Sequence, residues 1–116
     1  RYETRQCCTV VDGVELLESL ATDNVRLLCD LFHMNIEESD VADALVRGGK
    51  WVGHIHFVDS NRRPVGLGHM QFGRIIEALR AIQYNGYLCA EAFPYPNPQE
   101  AARQTMRAFR YWTQQD

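Results

Sequence analysis

Three side chains able to hold a metal or move a proton, Asp30, His56 and Glu91, each close a short apolar run. Two carboxylates and one imidazole suit Mn2+, Mg2+ or Co2+ better than a thiolate-seeking ion. The middle run is the most telling. Trp51, Gly53, Ile55 and Phe57 alternate with Val52, His54, His56 and Val58, and polar turn residues follow. In a strand, residues two apart share a face, so His54 and His56 point the same way. Two same-face imidazoles fill an apolar core poorly, because each buried ring needs partners. At a strand end they present nitrogen ligands instead. The plainer reading stays open from this stretch alone: one satisfied core histidine and one on the surface. Taken singly, Asp30 also reads as a turn former and Glu91 as a solvated strand end.

Two more residues fall on the same rim. His33 follows Asp30 by one helical turn's worth of chain, and Arg62 follows His56 in the next loop. His33 could hydrogen-bond a hydroxyl. Arg62 could hold an oxyanion or a carboxylate, or simply be a solvated loop cation. Gly66-Leu-Gly68 is too sparse for a phosphate cradle, and His69 reads as a surface residue. Phe93 and Tyr95 read as core packing rather than as pocket walls.

The elements that must place these groups come in alternation. Asp12-Gly-Val-Glu15 has the form of a capping box, followed by Val14, Leu17, Leu20 and Ala21 at helical spacing; this helix should stop near residues 22–24. Residues 25–30 read as a buried strand and 31–39 as a polar turn. Residues 40–47 form a short helix closed by Gly48-Gly49. The histidine strand covers 51–58, and a loop runs over 59–70. Phe72, Ile75, Ile76, Leu79 and Ile82 mark another helix. Asn85-Gly86 turns the chain into a strand over 86–91. Asn97-Pro98 starts the last helix, with Pro98 at its first position. Three strands alternating with about four helices imply right-handed crossovers and a parallel α/β sheet. Functional groups in such folds gather at the carboxyl ends of the strands, where neighbours lie about 5 Å apart. Asp30, His56 and Glu91 would then converge.

The chain has 116 residues, 46% hydrophobic and 23% charged, with a net charge of −3. That suits one domain over 1–116. No basic run or stripe serves a phosphate backbone, which argues against nucleic acid. No apolar stretch approaches the ~20 residues that span a bilayer, and no leader pattern is visible. None of Cys7, Cys8, Cys29 and Cys89 forms a Cys-x-x-Cys pair, so all four read as reduced thiols of a cytoplasmic protein. A three-stranded parallel sheet also leaves two open edges, which points to a homo-oligomer.

The residues Asp30-Leu-Phe-His-Met-Asn-Ile-Glu-Glu38, Gly53-His-Ile-His-Phe-Val-Asp-Ser-Asn-Arg62 and Tyr87-Leu-Cys-Ala-Glu91 resemble the ketose 3-epimerases. These are the D-tagatose and D-psicose 3-epimerase-like members of the xylose-isomerase-like sugar isomerase superfamily. The resemblance implies a (β/α)8 TIM barrel, of which this chain would be the C-terminal part, about half or less. It implies a divalent metal, Mn2+, Co2+ or Mg2+, held by Asp30, His56 and Glu91 as three of four ligands. Glu91 would also be one of two catalytic carboxylates. His33, Arg62 and Glu3 would contact a ketose. The fourth ligand, a glutamate, would fall just before Arg1. Leu31 stands where the family usually has Thr, and Gln71 where an acidic helix cap is common. The expectation is metal-assisted proton transfer beside a ketose carbonyl, with the isolated chain inactive. The alternative is a non-catalytic half-barrel that self-associates. A metal-dependent endonuclease of the same superfamily fits the acidic balance poorly.

Overall fold

The structure, a computed structural model, describes residues 2–114. Arg1, Gln115 and Asp116 lie outside the described residues. The elements in order are α1 (Val10–Ser19), β1 (Leu27–Asp30), α2 (Leu31–Glu37), α3 (Val41–Gly48), a 3-10 turn (Gly49–Trp51), β2 (Val52–His56), α4 (Phe72–Ala81), β3 (Leu88–Cys89) and α5 (Pro98–Thr113). The strands form one parallel sheet in the order β1-β2-β3. The α/β class and the parallel sheet follow the sequence expectation, with five α-helices where about four were expected.

The additional helix is α2, in the segment expected to be a polar turn. Asp30 has the extended backbone of an N-cap, and its side chain accepts from the His33 N–H. Leu31 and Met34, one turn apart, are buried. The Asp-Leu-x-x-Met pattern is an N-cap followed by an inward stripe, overridden in the reading by the polar residues after it. The capping box of α1 is also shifted. Thr9 is the N-cap, and Asp12 is its reciprocal partner. Asp12 accepts from the Cys8 and Thr9 N–H groups, both at 3.0 Å, and these bonds lower its pKa. Glu15 takes no part in this box.

Helix α3 is capped by Asp40 and ends at Gly49, whose φ of 49° is left-handed. Asn97 caps α5, with Pro98 in its first turn, as the sequence pattern indicates. Strand β3 is much shorter than expected. Residues 90–91 leave the ladder, because β3 is an edge strand paired only with β2 among the described residues.

The register places Leu28 beside His54, Cys29 beside Ile55 and Asp30 beside His56, with a bulge at Leu27/Leu28. Paired residues in a sheet share a face. Cys29 and Ile55 therefore face the helices, where they are 3% and 0% exposed. Leu45, Phe57, Val58, Val65, Ile75 and Leu79 complete that core. Burial pushes the Cys29 thiol up to about 12, so it is a packing group rather than a nucleophile. Among the described residues no cysteine is in a disulfide. The opposite face carries Leu28, Asp30, His54 and His56; Leu28 is 54% exposed, the two histidines are half-buried and Asp30 is buried. No described helix is long and apolar enough to cross a membrane.

Candidate metal centre

Asp30 serves two structures at once. Its Oδ1 accepts from the His33 N–H at 3.1 Å, and its Oδ2 lies 2.9 Å from His56 Nδ1. One oxygen is held by the start of α2, and the other is aimed along the sheet toward β2. His56 ends β2 directly beside Asp30. Its Nδ1 also lies 3.2 Å from Glu91 Oε2. Glu91 stands two residues beyond Cys89, the partner of His56 in β3. Just past the end of β3, it reaches the same cluster through its contacts with His56 and Arg62.

The three donor atoms all lie within 4.8 Å of one another. Cis donors around a divalent ion at ~2.1 Å are separated by about 3 Å in an octahedron. The 2.9 Å and 3.2 Å separations have that length. Two carboxylates and an imidazole are also the donors that hard and borderline divalent ions take. The residues present thus fit such an ion in chemistry, and their donor atoms are near enough to one another to share it.

Arg62 adjoins this group. Its Nη2 donates to Glu91 Oε2 at 3.2 Å. The guanidinium lies over two aromatic rings, 5.1 Å from the centroid of Phe32 and 6.0 Å from that of Phe93. Each such contact contributes roughly 0.5–2 kcal/mol, more as water is excluded. The Arg62 backbone is left-handed, with φ of 60°, at a cost of about 1–2 kcal/mol for a side chain with a Cβ. Two main-chain bonds hold it there. Its N–H donates to Asp59 C=O at 3.0 Å, and its C=O accepts from the Phe93 N–H at 2.8 Å. Phe93 and Tyr95 are not core residues; they are 57% and 45% exposed. Each stacks on an arginine instead, Phe93 on Arg62 and Tyr95 on Arg63.

His33 and Glu3 form a neighbouring pair, with Nε2 and Oε1 3.9 Å apart. The His33 ring packs on Tyr2 and Phe32, and Phe32 in turn lies under Arg62. The structure therefore gathers Asp30, His56, Glu91 and Arg62 into one cluster. His33 and Glu3 are linked to it through Phe32. His54 packs edge-on against His56, with ring centroids 5.3 Å apart, and is outside the donor group. The sequence reading passed over Phe32 and Asp59, and it assigned Phe93 to the core. The aromatic pair had no distinguishing spacing, and Asp59 looked like an ordinary turn residue.

Known proteins resemble this chain in sequence and in fold. The chain is 40% identical over 93 residues to a D-psicose 3-epimerase of Agrobacterium fabrum, an alignment covering 80% of this chain and 32% of that protein. It is 32% identical over 111 residues to a 3-dehydro-D-guloside 4-epimerase of Escherichia coli, covering 95% of this chain and 42% of that one. A solved D-psicose 3-epimerase with D-tagatose, from Clostridium cellulolyticum, superposes with a TM-score of 0.87 at 28% identity. That match covers 97% of this chain and 45% of the solved one. The chain thus spans less than half the length of the relatives it matches, and its three-stranded sheet corresponds to part of a barrel. The family model of the xylose isomerase-like TIM barrel matches residues 1–112. With the parallel sheet, the strand-end donors and these relatives in agreement, the chain belongs to the xylose isomerase-like TIM-barrel family.

Proposed function

We propose that this chain carries metal-binding and substrate-binding groups of a sugar isomerase or epimerase acting on a ketose. The observation that carries this reading is the convergence of Asp30, His56 and Glu91 within 4.8 Å, with Arg62 bonded to Glu91. The relatives support it, since they are named for epimerisation at a sugar carbon.

Asp30, His56 and Glu91 would hold a divalent ion, Mn2+, Co2+ or Mg2+. Such an ion polarises adjacent hydroxyl and carbonyl oxygens of a ketose and acidifies the C–H beside the carbonyl. Glu91 is the group placed to move that proton. Only its Oε2 is engaged by His56 and Arg62, and its side chain is the most open of the three donors, 58% exposed. The Arg62 guanidinium on Oε2 holds the carboxylate in one orientation. Beyond Glu91, Arg62 has donors left for a substrate oxygen, since a guanidinium carries five N–H groups. His33 can bond a hydroxyl through Nε2, with Glu3 beside it.

Epimerisation needs one proton-moving group on each face of the carbon. Among the described carboxylates, Asp30 is committed to the cap of α2 and to His56, and Glu3 is drawn toward His33. Glu91, engaged through Oε2 alone, is thus the acid–base group of the cluster. Lack of a second one typically costs about 10²–10⁴-fold. The chain on its own is therefore expected to turn over ketoses at a trace rate or not at all. The sheet face with exposed Leu28 favours a second reading, a non-catalytic half-barrel that self-associates.

A ketose epimerisation assay with Mn2+ tests the first reading. It is read against Glu91→Gln, alongside the thermal shift that Mn2+ produces. A Mn2+-dependent stabilisation lost in Glu91→Gln, with trace turnover, is the expected result. Absence of any Mn2+ response removes the metal centre and leaves the second reading. Robust turnover would show that Glu91 already has an adequate partner.

A further inference from the structure

The loop over residues 59–70 carries Arg62, and it is wound around a buried carboxylate. Asp59 is 1% exposed. Its Oδ1 accepts from the Ser60 N–H at 2.8 Å and the Met70 N–H at 3.1 Å, and its Oδ2 from the Gly66 N–H at 2.9 Å. These donors come from the start, the middle and the end of the loop. One side chain thus gathers the whole segment. The main chain of Asp59 closes the turn itself: its N–H donates to Arg63 C=O, and its C=O accepts from the Arg62 N–H, both at 3.0 Å. The packing around it is tight. A Cβ at Gly68 would lie 2.4 Å from Asp59 Oδ1.

A carboxylate is an expensive group to bury. Here it supplies what a neutral side chain does not, two acceptor oxygens facing three amide donors. An asparagine would offer one oxygen and would turn its NH2 toward at least one N–H. Both oxygens are spent inside the loop, so Asp59 contributes nothing directly to the donor cluster. What the loop presents outward is Arg62, in its left-handed conformation, between Phe32 and Phe93 and bonded to Glu91.

We propose that Asp59 is a positioning residue for Arg62. By tying Ser60, Gly66 and Met70 to one point, it fixes the turn that sets the guanidinium between the two rings and on Glu91. Its consequence for ketose binding rests on the reading of Arg62 given above; its consequence for Arg62 itself does not.

The test is NMR of the arginine side-chain Nε–Hε groups in the full chain, with Arg62 identified by the signal lost in Arg62→Lys. Held between two rings, that signal should stand apart from those of the exposed arginines. In Asp59→Asn it should move to join them, while the signals of core methyl groups stay in place. Gly68→Ala, which pushes on Asp59 without removing it, should move it in the same direction. Leu67→Ala, at an exposed position of the same loop, should leave it where it is. An unmoved Arg62 signal in folded Asp59→Asn overturns the proposal. Should Asp59→Asn fail to fold, Gly68→Ala decides in the same way. A second arm measures D-fructose affinity with Mn2+ present. Asp59→Asn should lose as much as Arg62→Ala, and the double variant no more than either. A displaced Arg62 signal with unchanged D-fructose affinity would sink the substrate role of Arg62 while leaving its positioning by Asp59 intact. Additive losses would show that Asp59 acts on the sugar site by another route.

Discussion

Asp30 shows how far single residues could be read. Its type and its place at a strand end were legible, and so was its company with His56 and Glu91, because parallel strands in register bring their ends together. Its second duty, capping α2, was not, since the polar residues after Ile36 masked a helix of only seven residues. The two duties can be separated. Asparagine caps helices about as well as aspartate but carries no charge for a cation. Asp30→Asn should therefore keep the circular dichroism of the parent while Mn2+ affinity falls steeply. The fall should exceed the ~10–100-fold that loss of a mere outer partner costs. Calorimetry that gave both proteins the same affinity would remove Asp30 from the metal centre. Asp59 and Phe32 illustrate the opposite case. Nothing in their local sequence distinguishes a carboxylate that gathers a loop from one that decorates it, or a ring under a guanidinium from one in the core.

Among the elements, those with strong punctuation were read well. Asp40 opens α3 and Gly48-Gly49 closes it; Asn97-Pro98 opens α5. Helix α1, expected from Asp12 to residues 22–24, spans Val10–Ser19; its entry was misplaced because Thr9 with Asp12 and Asp12 with Glu15 both have capping-box form. Backbone geometry settles it in favour of Thr9. This has a consequence at acid pH. Asp12 sits below the ordinary carboxylate value of 3.8 because the Cys8 and Thr9 N–H groups donate to it. Asp40 is lowered too, first by the Asp43 N–H and then by Arg74. A carboxyl with a depressed folded pKa binds fewer protons folded than unfolded. Its stabilisation is present above the unfolded value near 3.8 and is lost as pH falls through the folded one. Asp12 is exposed and Asp40 about one-third exposed, so solvent screens both and the effect is small. Asp12→Asn should be slightly less stable than the parent at neutral pH, with the difference closing below about pH 4, so that its acid limb is flatter. An acid limb identical to that of the parent would show that Asp12 titrates alike in both states.

On the scale of the whole molecule, α/β alternation carried the architecture, since βα units with parallel strands admit few arrangements. What alternation does not convey is how the sheet is covered. One face lies under helices; the other bears half-buried His54 and His56 and exposed Leu28. Parallel sheets ordinarily have both faces covered, and the unpaired edges of β1 and β3 invite further pairing. The 116-residue chain, prepared alone, should therefore associate with itself as its concentration is raised through the micromolar range. A single monomeric boundary in sedimentation throughout that range would contradict this. The brevity of β3 bears on the same face. With two residues in the ladder, the segment leading to Glu91 has little backbone bonding of its own and should open far more readily than β1 or β2. A ligand shared by Asp30, His56 and Glu91 would bridge the sheet from one edge to the other, and whatever binds only the closed form stabilises it. Amide hydrogen exchange over residues 86–93 should slow on addition of Mn2+ much more than exchange in β2. The frailest strand would then serve as the gauge of occupancy.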